Sequence, residues 1–320
     1  MEKALKNFHK QFDYRPEIKN KQKLRKYEKY IVVGMGGSAL SAGLLKTAYP
    51  NLDLIIHQSY GLPVIRHEDK AKTLIIASSF SGNTEETIDG FKEALSQKID
   101  VAAITTGGKL KDLAEKNKVP LVVVPDTGIE PRLATGYSLN SILGLIDHAE
   151  HKKLSSLVKS LNGKKEEEKA RVLTEKIWDK VPIIYSSARN EAIAYYWKIA
   201  LNESGKIPAF CNFFPELNHN EMNSYESIKT TKTLGEKFHF IFLKDKTDHP
   251  RIIKRMEVCK KLYEDLGYGV EIVNLEGDLI WQRIFSSILM AGWVALYISK
   301  YYGTEPEKVP MIETFKKLIK

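Results

Sequence analysis

TLIIASSFSGNTEETI, residues 73–88, is the stretch that decides the fold of this chain. Its apolar part, residues 74–77, predicts a buried strand of a parallel sheet. Gly82 lets the backbone turn without a Cβ, and Thr84 is a typical N-cap residue because two glutamates follow it. The stretch therefore predicts a strand, a tight loop and the start of a helix.

The loop of this stretch offers the groups that bind a phosphate. Ser79, Ser81 and Thr84 carry hydroxyls beside a predicted helix N-terminus, where backbone N–H groups are unpaired and the helix dipole is positive. The same residues are equally typical of a well-capped helix. The stretch alone therefore leaves a phosphate site and a simple helix cap as open interpretations.

Short apolar segments alternate with helical patterns along the rest of the chain. Strands are predicted at 30–33, 52–56, 73–77, 101–105, 119–124, 182–186, 207–210, 238–243 and 270–274. Helices are predicted at 39–48, 84–97, 110–116 and 136–148, then through Glu203, at 251–266 and at the end of the chain. This order predicts an α/β protein with two doubly wound parallel sheets, each covered by helices on both faces.

The same pattern suggests how the chain divides into domains. Residues 1–28 are charged and loosely amphipathic, which predicts a short N-terminal helical arm. A polar segment near 150–165 is the best linker. We therefore expect a first domain at 29–155 and a second domain at 156–320.

Composition narrows the class of protein. With 320 residues, the chain is long enough for two ordinary domains. The net charge is +9, but lysines and glutamates are interspersed, which indicates a solvated surface with a bias toward anionic substrates and no nucleic-acid partner. Cys211 and Cys259 have neither disulfide-framework nor zinc-site spacing, which favours an intracellular protein without a metal site.

No part of the sequence predicts a membrane segment. The first ten residues lack the apolar core of a signal peptide. The longest apolar run, 284–298, contains two serines and is shorter than the roughly 20 residues that span a bilayer, so it predicts a buried helix. We expect a cytoplasmic protein without a membrane partner.

Parallel sheets bind ligands at the carboxyl ends of their strands, and three loops of the first half qualify: 34–38, 78–84 and 105–109. The first begins GMGGSA and also fits the G-x-G-x-x-A pattern of dinucleotide sites. However, the next strand is followed by His57 and Gln58 rather than by an acid that would hold a ribose. An NAD(P)-dependent oxidoreductase therefore remains the weaker alternative.

Two of these loops, GMGGSA (34–39) and SFSGNT (79–84), together resemble the sugar isomerase (SIS) domain, whose members bind phosphosugars. Four further strings resemble the bifunctional phosphoglucose/phosphomannose isomerase family: EPRLATGYSL (130–139), LNESGKIPAF (201–210), FPELNHNEM (214–222) and YGTEPEKVPMIETFKKLI (302–319). The resemblance implies two flavodoxin-like SIS domains and a reaction that needs no metal and no cofactor. It also implies a phosphate site formed by Gly36, Gly37, Ser38, Ser79, Ser81 and Thr84.

The resemblance further implies four catalytic residues. Glu203 would be the base that moves the proton, His219 would open the sugar ring, and Arg132 would stabilise the enediolate. Lys300 would assist His219, which the resemblance places across the interface of a homodimer. The residues alone leave ordinary roles open: a surface glutamate, a solvated histidine, an arginine paired with a nearby carboxylate and a surface lysine.

The resemblance thus implies an isomerase that interconverts glucose 6-phosphate and fructose 6-phosphate, and also mannose 6-phosphate and fructose 6-phosphate, through a cis-enediolate. A phosphosugar-binding regulator built on SIS domains is the main alternative, but it would need a DNA-binding domain for which residues 1–28 have no room. An aminotransferring sugar synthase would need a nucleophilic cysteine near the N-terminus, and neither cysteine lies there.

Overall fold

The computed structural model describes residues 1–148, 150–226 and 228–319. The chain forms two compact units, one of residues 7–160 and one of residues 1–6 together with 161–320. The division falls inside the segment 150–165 that the sequence suggests as a linker. Residues 1–28 differ from the expected separate arm, because their first six residues join one unit and the rest join the other.

The strands are β1 (Ile18–Lys19), β2 (Lys29–Val33), β3 (Leu54–His57), β4 (Thr73–Ser78), β5 (Asp100–Thr105), β6 (Leu121–Val123), β7 (Val181–Ser187), β8 (Phe210–Phe214), β9 (Phe238–Lys244) and β10 (Gly269–Asn274). The α-helices are α1 (Glu2–Lys6), α2 (Gly36–Ala48), α3 (His67–Lys70), α4 (Glu85–Ser96), α5 (Gly108–Lys116), α6 (Thr135–Leu145), α7 (His151–Ser155), α8 (Leu157–Ser160), α9 (Gly163–Ile177), α10 (Glu191–Ile199), α11 (Lys232–Gly235), α12 (Pro250–Asp265), α13 (Ile280–Tyr301) and α14 (Pro310–Leu318).

The sheet of the first unit has the order β1-β6-β5-β4-β2-β3. All neighbours in it are parallel except β1, which runs antiparallel to β6 at one edge. Every residue of β4 is buried, because this strand lies inside the sheet and both faces are covered. Val33 pairs with Ala77 and Ala77 pairs with Ala103, so β2, β4 and β5 end at the same edge of the sheet.

The sheet of the second unit has four strands in the order β10-β9-β7-β8, all parallel. Aromatic side chains fill one side of it, with Tyr185, Phe214, Phe240 and Phe242 completely buried. The doubly wound α/β architecture predicted from the sequence is confirmed in both units.

One predicted strand is misplaced. The apolar segment 207–210 predicts a strand, whereas β8 pairs with β7 only from Phe210 onward, opposite Ile183. The preceding residues still belong to a turn: Lys206 has a φ of 60°, and the amide of Ile207 donates to the Leu201 carbonyl. Ile207 is buried in this turn, which explains why an apolar residue occupies a position outside the sheet.

The apolar run 284–298 lies in α13, as predicted for a buried helix. This helix has 22 residues and is long and apolar enough to cross a membrane, but 78% of its most apolar window is buried inside the fold. Trp281, Trp293 and Ile298 are each at most 1% exposed. We conclude that α13 is the core helix of its unit.

Candidate active site

The loop after β4 gathers the hydroxyls that the sequence singles out. The Ser79 hydroxyl donates to the Thr84 hydroxyl at 2.8 Å and accepts from the Thr84 amide at 3.4 Å. Thr84 stands at the N-cap of α4 as predicted, but its side chain makes no capping hydrogen bond there. The expected side-chain cap is therefore wrong, because the Thr84 hydroxyl is turned toward Ser79 instead.

The loops after β2 and β5 contact this loop directly. The amide of Phe80 donates to the Ser38 hydroxyl at 3.2 Å, and the Thr106 hydroxyl donates to the Phe80 carbonyl at 2.8 Å. Gly82 has a φ of 70°, and a Cβ on it would lie 1.8 Å from the Gly107 carbonyl oxygen, so only glycine fits. The three loops chosen from the sequence thus form one cluster at the carboxyl edge of the first sheet.

This cluster lies at two helix N-termini. Helix α2 begins at Gly36, three residues before the predicted start, so Gly36, Gly37 and Ser38 form its first turn. Helix α4 begins directly after Thr84. Amides in the first turn of a helix lack helical partners and face the positive end of the dipole. Together with the hydroxyls of Ser38, Ser79, Ser81 and Thr84, these ends can hold a phosphate.

Arg132 approaches the same loops through Gly37. A Cβ on Gly37 would lie 3.0 Å from the carbonyl carbon and oxygen of Pro131 and 3.1 Å from the Arg132 nitrogen. The missing side chain therefore allows the two backbones to pack. The Arg132 side chain is only 4% exposed and donates to the Glu130 carboxylate at 3.3 Å. The ion pair that the sequence left open exists, and the guanidinium is held in a buried position.

Sequence reasoning missed one residue that fixes this segment, Gln11. Its side-chain amide donates to the Leu133 carbonyl at 2.7 Å, and its oxygen accepts from the Gly136 amide at 3.0 Å. Gln11 is 3% exposed and lies in the same 3₁₀ helix as the buried Phe8 and Phe12. The loosely amphipathic pattern of residues 1–28 was visible in the sequence, but the segment that Gln11 contacts lies more than 120 residues away.

Glu203 stands where a helix changes its winding. Helix α10 ends at Ile199 and continues as a single π-helical turn over Ala200–Ser204, in which Glu203 is half-buried. Such turns are frequent at functional sites. The Lys206 ammonium donates to the main-chain oxygens of Glu203 and Lys308 and so closes the turn.

His219 ends a 3₁₀ turn, Glu216–His219, that directly follows β8 and Pro215. Its side chain is exposed, whereas Leu217 in the same turn is completely buried and anchors it. A second 3₁₀ turn, Glu221–Tyr225, follows after Asn220. The imidazole is thus presented to solvent from a short, anchored segment.

Comparison with known proteins decides the family. A family model described as the bacterial phospho-glucose isomerase C-terminal SIS domain matches residues 166–319. A bifunctional phosphoglucose/phosphomannose isomerase from Caldicellulosiruptor bescii is 38% identical over 307 residues, which cover 90% of this chain and 88% of that protein. The chain belongs to the bifunctional phosphoglucose/phosphomannose isomerase family.

Two further comparisons agree with this assignment. Another family member, from Aquifex aeolicus, is 30% identical and covers 99% of this chain and 98% of that protein. Among solved structures, the C-terminal domain of glucosamine-fructose-6-phosphate aminotransferase from Francisella tularensis has a TM-score of 0.71 at 13% identity, with 96% of each chain covered. The second likeness concerns the fold alone, and the family predicted from the sequence motifs is confirmed.

In this isomerase, Lys300 lies near the C-terminal end of α13 and is half exposed. Its ammonium donates to the Glu2 carboxylate at 2.7 Å. This hydrogen bond is the main reason why the pKa of Glu2 is lowered to about 2. Lys300 also lines a groove of about 430 Å³ with Trp178, Tyr297 and Tyr301. Here the lysine has a partner, Glu2, that the sequence did not suggest.

The described part of this isomerase, residues 1–148, 150–226 and 228–319, contains no group of three or more His, Cys, Asp or Glu side chains that could hold a metal ion. Cys211 and Cys259 are both free thiols. Burial raises the pKa of Cys259 to about 11, so this thiol is protonated and unreactive at neutral pH.

Proposed function

We propose that this protein interconverts glucose 6-phosphate and fructose 6-phosphate, and also mannose 6-phosphate and fructose 6-phosphate, through a cis-enediolate. The observation that carries the proposal is the hydroxyl cluster at two helix N-termini. This cluster packs against the segment of the buried Arg132, and the chain belongs to this isomerase family. The cluster suits the phosphate that all three sugars share.

The phosphate anchors the substrate and takes no part in bond breaking. Backbone amides and hydroxyls donate to its oxygens without a metal, and the resulting orientation lowers the entropic cost of the later steps. The residues proposed for this task are Gly36, Gly37, Ser38, Ser79, Ser81 and Thr84.

Glu203 is the proposed base. Its carboxylate removes the proton from C2 of the aldose, and the same proton or one from solvent is returned to C1 of the enediolate. C2 is oxidised to the ketone while C1 is reduced, so the reaction needs no external oxidant or reductant. The Arg132 guanidinium stabilises the negative charge that develops on the enediolate oxygens.

His219 is the proposed group for ring opening. A neutral imidazole can accept the proton of the anomeric hydroxyl and return one to the ring oxygen, which frees the carbonyl. Lys300 assists this step when its ammonium leaves Glu2. Glucose and mannose phosphates differ only at C2, so reprotonation of either face of the enediolate yields both.

We also propose that the protein is a cytoplasmic homodimer in which His219 acts in the active site of the partner subunit. The exposure of His219 supports this assignment, because the imidazole is available to a second chain. The two free thiols support a reducing compartment.

A time course with fructose 6-phosphate tests the proposed function. Proton NMR separates the anomeric signals of glucose 6-phosphate and mannose 6-phosphate, and both are expected to rise from the start of the reaction. Formation of only one aldose would limit the enzyme to that sugar. If neither forms, the isomerase assignment is wrong.

A further inference from the structure

A carboxylate outside the proposed catalytic set, Glu221, lies two residues after His219 and begins the second 3₁₀ turn. Glu221 accepts a hydrogen bond from the Tyr185 hydroxyl at 2.5 Å and another from the Tyr225 hydroxyl at 3.1 Å. Its second oxygen accepts from the side-chain amide of Asn212. Tyr185 lies in β7 and Asn212 lies in β8, so the carboxylate ties both strands to the second 3₁₀ turn.

These donors are fixed in the core. Tyr185 is completely buried and Tyr225 is 7% exposed. Burial, with the adjacent Glu221, raises the pKa of both phenols above the ordinary range, so both keep the proton that they donate. A carboxylate that accepts several such bonds holds its position firmly, since charge-assisted hydrogen bonds are roughly twice as strong as neutral ones.

The link from Glu221 to His219 is short. Asn220 stands between them, and its side-chain oxygen accepts from the Glu221 amide at 2.5 Å while its side-chain nitrogen donates to Glu216 at 2.8 Å. Asn220 thereby bonds to the first residue of the turn that carries His219 and to the first residue of the next turn. Among the four residues of that turn, all of them described by the structure, only Leu217 is deeply buried.

We propose that Glu221 is a positioning residue for His219: its carboxylate, held by Tyr185, Asn212 and Tyr225, fixes the turn that presents the imidazole for ring opening. The inference rests on the proposed function and concerns one step of it. Displacement of a catalytic group by about 1 Å can cost about 100-fold in rate. Loss of the anchor should therefore slow ring opening and leave proton transfer at C1 and C2 intact.

Two substrates separate these steps. Fructose 6-phosphate is mainly a ring, whereas 5-deoxyfructose 6-phosphate has no hydroxyl at C5 and a blocked oxygen at C6, so it cannot form one. For Glu221→Gln we expect kcat on fructose 6-phosphate to fall by about 10- to 100-fold and kcat on the deoxy sugar to change less than about twofold. For His219→Ala we expect the same difference between the two substrates, a large fall in kcat on fructose 6-phosphate and little change in kcat on the deoxy sugar.

Three checks accompany this measurement. Tyr185→Phe keeps the ring and removes one donor, so it should shift the ratio of the two rates in the same direction by a smaller factor even if Glu221→Gln folds poorly. Glu236→Gln changes an exposed carboxylate between α11 and β9, outside both 3₁₀ turns, and it should leave the ratio unchanged. Thermal unfolding verifies that each variant is folded.

The outcomes are distinguishable. If the wild-type enzyme converts neither sugar, the proposed function fails. If the wild type is active but folded Glu221→Gln and Tyr185→Phe lose the same factor on both sugars, or lose nothing on either, Glu221 does not position the ring-opening group and the inference is overturned.

Discussion

At the residue scale, the proposed chemistry of this isomerase depends on a few side chains, and only some of their contacts could be predicted from the sequence. The hydroxyls of Ser38, Ser79 and Thr84 belong to loops that follow parallel strands, so their meeting at one edge was predictable from the sequence. The contact of Gly37 with Arg132 and the hydrogen bonds of Gln11 were not predictable, because they join segments that lie far apart in the chain. Local pattern carries no information about such partners.

Glu203→Gln tests the proposed base at this scale. The amide cannot accept the C2 proton, so kcat should fall by about 100- to 10,000-fold, the usual contribution of a general base. Binding of fructose 6-phosphate, measured by calorimetry, should remain within about threefold of wild type, because Glu203 is not among the proposed phosphate-binding residues. Retained turnover would show that another group moves the proton.

Gly37→Ala tests the contact that places Arg132. The added Cβ would lie 3.0 Å from the backbone of Pro131 and push that segment away. We expect kcat to fall by about tenfold. In a double-mutant cycle with Arg132→Ala, the double variant should be no slower than Arg132→Ala alone. Fully additive losses would mean that Gly37 acts independently of Arg132.

At the scale of elements, the long buried strands and helices were predictable and the short ones were not. Apolar runs marked β4, β5, β7 and β9, because strands covered on both faces are apolar along most of their length. The two-residue strand β1 and the 3₁₀ turns around His219 are too short to show a period. The turns proposed to present His219 therefore cannot be predicted from the apolar pattern that predicts the sheets.

The N-terminal 3₁₀ helix, Phe8–Asp13, provides a test at this scale. Gln11→Ala leaves the Leu133 carbonyl and the Gly136 amide buried without their partner, so the free energy of unfolding should fall by about 2–4 kcal/mol. Urea denaturation measures this change. Gln22→Ala, at an exposed position of the same N-terminal segment, should stay within about 0.5 kcal/mol of wild type. Equal values for the two variants would refute the structural role of Gln11.

At the scale of the whole molecule, the proposed homodimer predicts complementation between two variants that are each strongly impaired on fructose 6-phosphate. If each active site uses Glu203 of one chain and His219 of the partner chain, a Glu203→Gln/His219→Ala heterodimer has one intact site. Random exchange of subunits then restores about a quarter of wild-type activity.

The mixture is prepared by refolding equal amounts of the two variants together. The unmixed variants serve as controls, and sedimentation shows whether dimers form. If the mixture is no more active on fructose 6-phosphate than the mean of its components while dimers are present, His219 acts in its own chain.

The most direct test of the central claim, one enediolate for both sugars, is the reaction of fructose 6-phosphate with the wild-type enzyme in deuterated water. The enediolate takes its C2 proton from a base that exchanges with solvent, so deuterium should appear at C2 of both glucose 6-phosphate and mannose 6-phosphate. Mass spectrometry and NMR quantify it. The base can also return the proton that it removed, so the label is read after prolonged incubation, when repeated turnovers have exchanged that proton. Formation of either aldose with no solvent deuterium at C2 even then would indicate direct hydride transfer and contradict the account.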